Sequence, residues 1–270
     1  MERYAVIGDP VAHSLSPRLF QCIAEETGRA LSYEAVQVKE GELAGFLAFA
    51  KSGAYAGVNV TMPHKSMAAA LADEQSETVK LLGAANTLRF SEGKIYAENT
   101  DGAGFLTAMD WYGIEPKGKK VLLLGSGGAA RAVALALGRS GARVKVLNRT
   151  EEKAVALAAL HTNISLGEER DFSTADLLVN ATPCGMTAPW EDLSFVERLP
   201  APGAVMDLIY APRETELLRT VRRRGLAGYN GFAMLAGQAL RAAEFFLGEP
   251  LDNRTLLPKL LKEEHQYDLR

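Results

Sequence analysis

Two residues of this chain have types and settings suited to moving a proton. Lys65 closes the string Asn59-Val60-Thr61-Met62-Pro63-His64-Lys65, in which a β-patterned run stops, Pro63 reads as the first helical residue and Lys65 falls in the first helical turn. The positive end of a helix dipole disfavours an ammonium by about 0.3–1 kcal/mol, so a lysine there can exchange a proton, whereas a lone lysine is ordinarily just solvated. Asp101, in Glu98-Asn99-Thr100-Asp101-Gly102-Ala103-Gly104, precedes a helix. It reads either as that helix's N-cap or as a carboxylate paired with Lys65, holding the ammonium within reach of a substrate hydroxyl.

Other polar residues fall where a small ligand could use them. Ser14-Leu15-Ser16-Pro17 opens a helix; Ser16 with Pro17 is the pattern of an N-cap and first position, but capping does not account for Ser14. Two hydroxyls beside a helix N-terminus make a small carboxylate site. In the strand Val58-Asn59-Val60-Thr61, alternation puts the valines on one face and Asn59 with Thr61 on the other. Asn86 is a strand-averse residue among apolar ones, and Gln238 interrupts the apolar run from Met234 to Leu240. Buried amides need partners, so each is either a satisfied structural group or a ligand contact.

Anion-binding chemistry is concentrated in the middle of the chain. The apolar strand Lys120-Val121-Leu122-Leu123-Leu124 runs into Gly125-Ser126-Gly127-Gly128-Ala129-Ala130 and a helix. Backbone N–H groups and a positive dipole end then meet in one place, suited to a pyrophosphate, although tight glycine turns also serve purely structural ends. The next strand ends in Asn148-Arg149-Thr150, with Lys153 one turn on, where an NAD site would carry an acidic residue. An arginine there can pair with a 2′-phosphate and stack on adenine, which selects NADP over NAD; the alternative is a surface arginine.

The elements that must position these groups alternate strand and helix over the first hundred residues. Strands are expected near 3–8, 32–38, 56–61, 85–90 and 94–97, with helices near 17–28, 42–51, 63–72, 74–81 and 103–112. The loop Gly113-Ile114-Glu115-Pro116-Lys117-Gly118 has the punctuation of a boundary. A second α/β layer then begins, with further strands at 143–147, 177–180 and 204–208 and an apolar helix from Gly231 to Phe246 of the kind wedged between domains.

Composition bounds the function classes. The chain has 270 residues, 47% of them apolar, enough for sizeable cores. A formal charge of −3 argues against a polyanionic partner, and Arg222-Arg223-Arg224 reads as a solvated helix terminus rather than a nucleic-acid patch. No apolar stretch approaches the roughly 18 residues that span a bilayer, and a strand begins almost at Met1 with no signal peptide ahead of it. Cys22 and Cys184 make no disulfide framework, and His13, His64, His161 and His265 share no metal spacing. The expectation is a soluble cytoplasmic protein without a metal, a nucleic-acid partner or a membrane partner.

Taken in order, Ser14-Leu15-Ser16-Pro17, the Asn59 to Lys65 string, Gly83-Ala84-Ala85-Asn86-Thr87, Asn99-Thr100-Asp101-Gly102, the Gly125 loop, Asn148-Arg149-Thr150, Asn180-Ala181-Thr182-Pro183 and Met234 to Ala239 resemble shikimate dehydrogenase over nearly the full length. The loop departs slightly from the family's usual Gly-Ala-Gly-Gly-Ala, carrying Ser126. The resemblance implies a two-domain α/β fold with a cleft that closes: an N-terminal α/β substrate domain (1–101, completed by 235–270) and a Rossmann-type doubly wound NADP domain (102–234), whose C-terminal helices return to the first. It implies NADPH-dependent reduction of 3-dehydroshikimate, with Lys65 as acid/base group beside Asp101. Ser14 and Ser16, helped by Tyr210, would hold the carboxylate, and Asn59, Thr61, Asn86, Asp101 and Gln238 the rest of the ring. Gly125, Ser126, Gly127, Gly128 and Ala129 would wrap the pyrophosphate, and Asn148, Arg149, Thr150 and Lys153 the 2′-phosphate. Leu208 and the Gly231 backbone would flank the nicotinamide, with Glu77 a less specific candidate. The resemblance is compatible with a monomer or a homodimer. Alternatives are a broader quinate/shikimate dehydrogenase, which would favour NAD through an acidic residue at Asn148-Arg149-Thr150, or a non-catalytic NADP-sensing protein on the same fold.

Overall fold

A computed structural model describes the backbone of residues 1–267, with the side chains of residues 265–267, His265 among them, outside the described residues. The chain divides into two compact units, Met1–Gly104 with the segment from Leu235 onward, and Phe105–Met234.

The first unit is built on a mixed sheet. Strands β1 (Glu2–Gly8), β2 (Leu31–Gln37) and β3 (Gly57–Val60) pair in parallel, with β1 in the middle. Helices α1 (Ser16–Thr27) and α2 (Leu43–Phe49) connect them, and α3 (Lys65–Leu71), β4 (Glu74–Gln75) and α4 (Glu77–Leu82) follow. The antiparallel hairpin β5 (Thr87–Ser91) and β6 (Lys94–Glu98) then extends the sheet in the order β2-β1-β3-β5-β6-β4. Its turn has Glu92 at φ 51 and Gly93 at φ 71, the left-handed pair whose twist suits a two-residue hairpin. Alternation delivers Ala5, Ile7, Val58, Val60 and Leu88 to one core with Leu43, Leu47, Ala68 and Val79, each large side chain contributing about 1.5–3 kcal/mol by burial.

The second unit restarts after α5 (Asp101–Trp111). Its strands β7 (Lys120–Leu124), β8 (Arg143–Leu147), β9 (Ile164–Leu166), β10 (Leu177–Asn180), β11 (Ala204–Asp207) and β12 (Ala227–Tyr229) form an all-parallel sheet in the order β12-β11-β10-β7-β8-β9. Helices α6 (Gly128–Arg139), α7 (Glu151–Ala158) and α8 (Glu216–Arg223) lie between strands in sequence. The order reverses at β7, which leaves a switch point between β7 and β10 at the strands' carboxyl ends. The chain returns to the first unit through α9 (Phe232–Leu247) and ends with α10 (Asn253–Tyr267), which ion pairs Arg18–Glu263 and Lys259–Glu26 tie to α1. Gly104 of α5 admits no side chain, because a Cβ there would lie 2.5 Å from Gln238 N and 2.8 Å from its Cα.

Several local expectations are corrected. Helix α3 begins at Lys65 rather than Pro63, since Thr61–His64 first closes a turn with the His64 N–H on Thr61 O at 3.1 Å. Glu74–Gln75 pairs with β6 as a short strand, and the helix waits until Glu77, where the Ser76 hydroxyl accepts the Val79 N–H. Ser16 is already helical and Leu15 occupies the cap position; Ser14 Oγ accepts the Ser16 N–H at 3.3 Å. The loop at 113–118 lies inside the second unit, because the division passes through the helices α5 and α9. Of the three arginines at 222–224, Arg224 is half-buried and donates to the carbonyls of Val196 and Leu199, so that end of α8 is anchored as well as solvated.

Candidate functional site

In the first unit, two backbone segments converge on Lys65. The turn after β3 is pinned by the Thr61 N–H on Ile7 O (2.9 Å) and by buried His64, whose Nε2 lies 2.6 Å from Val38 O. From the other side, the Ala85 N–H bonds to Lys65 O at 2.9 Å. Asp101 is the first residue of α5, and its N–H is held by Asn99 Oδ1 at 3.2 Å. Its carboxylate meets two side chains. Lys65 Nζ donates to Asp101 Oδ2 at 2.6 Å, while Asn86 Nδ2 donates to Oδ1 at 2.8 Å. The two side chains are 22% and 10% exposed, enough to be reached and little enough for the charge-assisted bond to matter. A lysine held by a carboxylate, with protons left over and an opening to the outside, can give a proton to an oxygen and take it back.

Asn86 lies just ahead of β5 rather than within it, and its amide oxygen accepts the Thr100 N–H (2.8 Å) and the Thr87 hydroxyl (2.9 Å). Asn59 spends one amide hydrogen on Asn86 O (3.2 Å) and the other on Thr87 Oγ1 (3.0 Å), and its oxygen accepts the Tyr33 hydroxyl at 2.7 Å. Burial pushes the Tyr33 hydroxyl well above its ordinary range, opposed in part by the nearby Ser16 hydroxyl. Lys65, Asp101, Asn86 and Asn59 therefore form one connected polar cluster. Thr61 and Gln238 are half-buried, and Gln238 Nε2 turns back to Leu235 O at 3.1 Å. Glu77 is exposed at the start of α4. Tyr33, Thr87 and Thr100 belong to the cluster without having been expected there.

In the second unit the strand-to-helix turn after β7 has the geometry an anion needs. Gly125 has φ +105, and a Cβ there would meet Ala181 O at 3.0 Å, so this position requires glycine. Gly127 and Gly128, at the start of α6, face open space within 4 Å of where a Cβ would stand. Ala130 is fully buried, as the third position of the fingerprint should be where helix packs on strand. Among the described residues, the backbone N–H groups of Ser126, Gly127, Gly128 and Ala129 have no hydrogen-bond partner. The turn thus fits a pyrophosphate.

At the end of β8, Asn148 Nδ2 bonds to Thr150 O at 2.8 Å and shapes the turn into α7. Arg149, Thr150 and Lys153 are exposed, and neither cation has an ion-pair partner among the described residues. Gly231 packs against Leu208, whose carbonyl oxygen would lie 2.0 Å from an added Cβ; the Gly231 N–H bonds to Ile209 O at 3.0 Å. Tyr210, half-buried, follows two residues after Leu208. This segment is anchored by a group not expected from sequence: fully buried Asp207 accepts from Thr215 Oγ1 (2.6 Å), Asn180 Nδ2 (2.9 Å) and the Ile209 N–H (3.3 Å). Burial raises the Asp207 carboxyl above the usual range, although those three donors act in the opposite sense. Among the described residues no cluster of side chains could hold a metal ion.

An all-parallel sheet in this order, with an open glycine turn at its switch point, accompanied by a unit carrying a lysine–carboxylate pair, defines a pyridine-nucleotide-dependent oxidoreductase. The comparisons with known proteins narrow the class. The profile for the shikimate dehydrogenase substrate binding domain matches residues 6–88, and that for shikimate / quinate 5-dehydrogenase matches residues 110–183. Shikimate dehydrogenase (NADP(+)) of Methanothrix thermoacetophila is 40% identical over 262 residues, covering 93% of this chain and 94% of the relative. The corresponding enzyme of one Thermus thermophilus strain is 42% identical over 250 residues, 92% of this chain and 93% of its own. A crystal structure of shikimate 5-dehydrogenase from Thermus thermophilus, in complex with NADP(H) and shikimate, superposes with a TM-score of 0.87 at 38% identity, covering 97% of this chain and 99% of that one. The chain belongs to the shikimate dehydrogenase family.

Proposed function

We infer that this chain catalyses the reversible NADPH-dependent reduction of 3-dehydroshikimate to shikimate, a step toward the aromatic amino acids. The observation that carries the site assignment is the 2.6 Å contact of Lys65 Nζ with Asp101 Oδ2, with Asn86 on the second carboxylate oxygen. When bound, NADPH supplies the hydride that the ketone carbon accepts. Lys65 donates a proton to the carbonyl oxygen as negative charge develops on it, and in the reverse direction takes the proton from the hydroxyl. Asp101 holds the ammonium in place and stabilises it while charged. Ser14 and Ser16 would bind the substrate carboxylate with Tyr210, and Thr61, Asn86, Asp101 and Gln238 the ring hydroxyls, so that the reacting carbon has one orientation. Asn59, whose amide is spent internally, acts by holding its neighbours.

For the cofactor, Gly125 to Ala129 would hold the pyrophosphate, and Asn148, Arg149, Thr150 and Lys153 the 2′-phosphate. Leu208 and the Gly231 backbone would support the nicotinamide, and Glu77 is a less specific cofactor candidate. Cations and no carboxylate at the end of β8 favour NADP. We place the enzyme in the cytoplasm, as a monomer or homodimer acting on small molecules without nucleic-acid or membrane partners; among the described residues no helix is long and apolar enough to cross a membrane. The test is absorbance in the nicotinamide band with shikimate or quinate, each with NADP or NAD. Turnover dominated by shikimate with NADP supports the assignment, and quinate with NAD as the best pair overturns it.

A further inference from the structure

The shorter contacts of the cluster behind Asp101 give its donors and acceptors one direction, with the Thr87 hydroxyl 2.9 Å from Asn86 Oδ1 and 3.4 Å from Thr100 Oγ1. Tyr33 donates to Asn59 Oδ1, which turns the Asn59 amino group toward Thr87 Oγ1 and makes that hydroxyl an acceptor from Asn59. The Thr87 proton is then directed to Asn86 Oδ1, which also receives the Thr100 N–H. With its oxygen so engaged, Asn86 presents its amino group to Asp101 Oδ1 and Thr100 Oγ1. A flipped Asn86 would set an amide oxygen against a carboxylate oxygen, turn its amino group toward the Thr100 N–H and deprive the Thr87 hydroxyl of its nearer acceptor. Thr87, Asn86, Asn59 and Thr100 are all buried, so no water shell restores what a lost partner removes.

We propose that Thr87 is a positioning residue for the proton transfer: its hydroxyl fixes the Asn86 amide, and through it the Asp101 carboxylate that holds Lys65. Thr87 does not touch Lys65 and needs no contact with substrate. The proposal rests on Lys65 and Asp101 being the proton-transfer pair. Tyr33, stacked on Phe20 at 4.0 Å between ring centroids, belongs to the same chain of bonds.

The experiment compares Thr87→Val, which keeps the β-branched shape and removes the hydroxyl, with Thr87→Ser, which keeps the hydroxyl. Thr87→Val is expected to lower kcat by about tenfold or more with the KM for NADPH changed by less than about twofold, and Thr87→Ser to recover kcat to within about threefold of wild type. A Thr87→Val enzyme with kcat within about twofold of wild type, or a Thr87→Ser enzyme as slow as it, overturns the proposal. If Thr87→Val does not fold, Tyr33→Phe carries the test: it keeps the ring stack, and a kcat loss of about threefold or more is expected, whereas unchanged kcat overturns the proposal. Lys65→Ala measured alongside separates the two levels, since full activity there removes the proton-transfer pair itself, whatever Thr87 does.

Discussion

Gly127→Ala is expected to leave the fold intact while removing cofactor binding. Gly127 is the N-cap of α6 at φ −69 and ψ −177, a conformation alanine adopts without strain, and an added Cβ meets nothing within 4 Å. Alanine is the poorer N-cap by about 0.5–1 kcal/mol, but removing a glycine from the unfolded chain returns about 0.4–1 kcal/mol, so the two effects offset. The melting temperature should therefore move by no more than about 2–4 °C, the shift that accompanies roughly 1 kcal/mol in a chain of this size. On the proposed assignment, the open space is where the pyrophosphate approaches the backbone. A methyl group there blocks hydrogen bonds to a charged phosphate worth about 1.5–3 kcal/mol each, or about 10- to 150-fold in affinity per bond lost. The assay is thermal unfolding with and without NADPH, together with the KM for NADPH. An unchanged KM, or a fall in melting temperature far larger than this, would refute the reasoning. Gly125→Ala is the control, because φ +105 and the 3.0 Å approach to Ala181 O make that variant destabilised outright.

Arg149→Ala is expected to raise the KM for NADPH by about tenfold or more while changing that for NADH by less than about threefold, since the charged partner proposed for the exposed guanidinium is the 2′-phosphate that NADH lacks; equal losses for both nucleotides would contradict this. Gly104→Ala should destabilise the first unit by about 1–3 kcal/mol, as α5 and α9 cannot both keep their places around a Cβ 2.5 Å from Gln238 N, and calorimetry would show it as a lowered transition. Asp207 gives a pH signature. Burial raises its carboxyl in the folded state, so its contribution to stability is fully present below the unfolded carboxylate value and is lost as pH rises through the folded one. Relative to wild type, Asp207→Asn should gain stability as pH rises across that window, and melting curves that run parallel in pH would contradict the assignment.

How much of this was legible in the sequence depended on whether the cause was local. The β7 strand, its glycine turn and the cations after β8 are set by residues close in sequence, and they fold as their pattern implies. Pro63 misled because a turn from Thr61 to His64 precedes the helix, a distinction made by one backbone bond. Ser16 looked like a cap by type, yet the chain was already helical there. The glycine–proline loop at 113–118 resembled a boundary, but the division runs inside two continuous helices whose own sequences carry no break. Thr87 was silent for a different reason. A threonine opening a strand is ordinary, and its importance arises only when Asn59 and Thr100 arrive from two other segments beside its own neighbour Asn86.

The most direct test of the central claim is the turnover of Lys65→Met with 3-dehydroshikimate and saturating NADPH. The ammonium donates to Asp101 in the first unit, while the glycine turn belongs to the second, so NADPH affinity should be retained. Loss of a positioned acid/base group predicts a fall in kcat of about 10²- to 10⁴-fold. A folded Lys65→Met enzyme whose kcat stays within about tenfold of wild type would contradict the account.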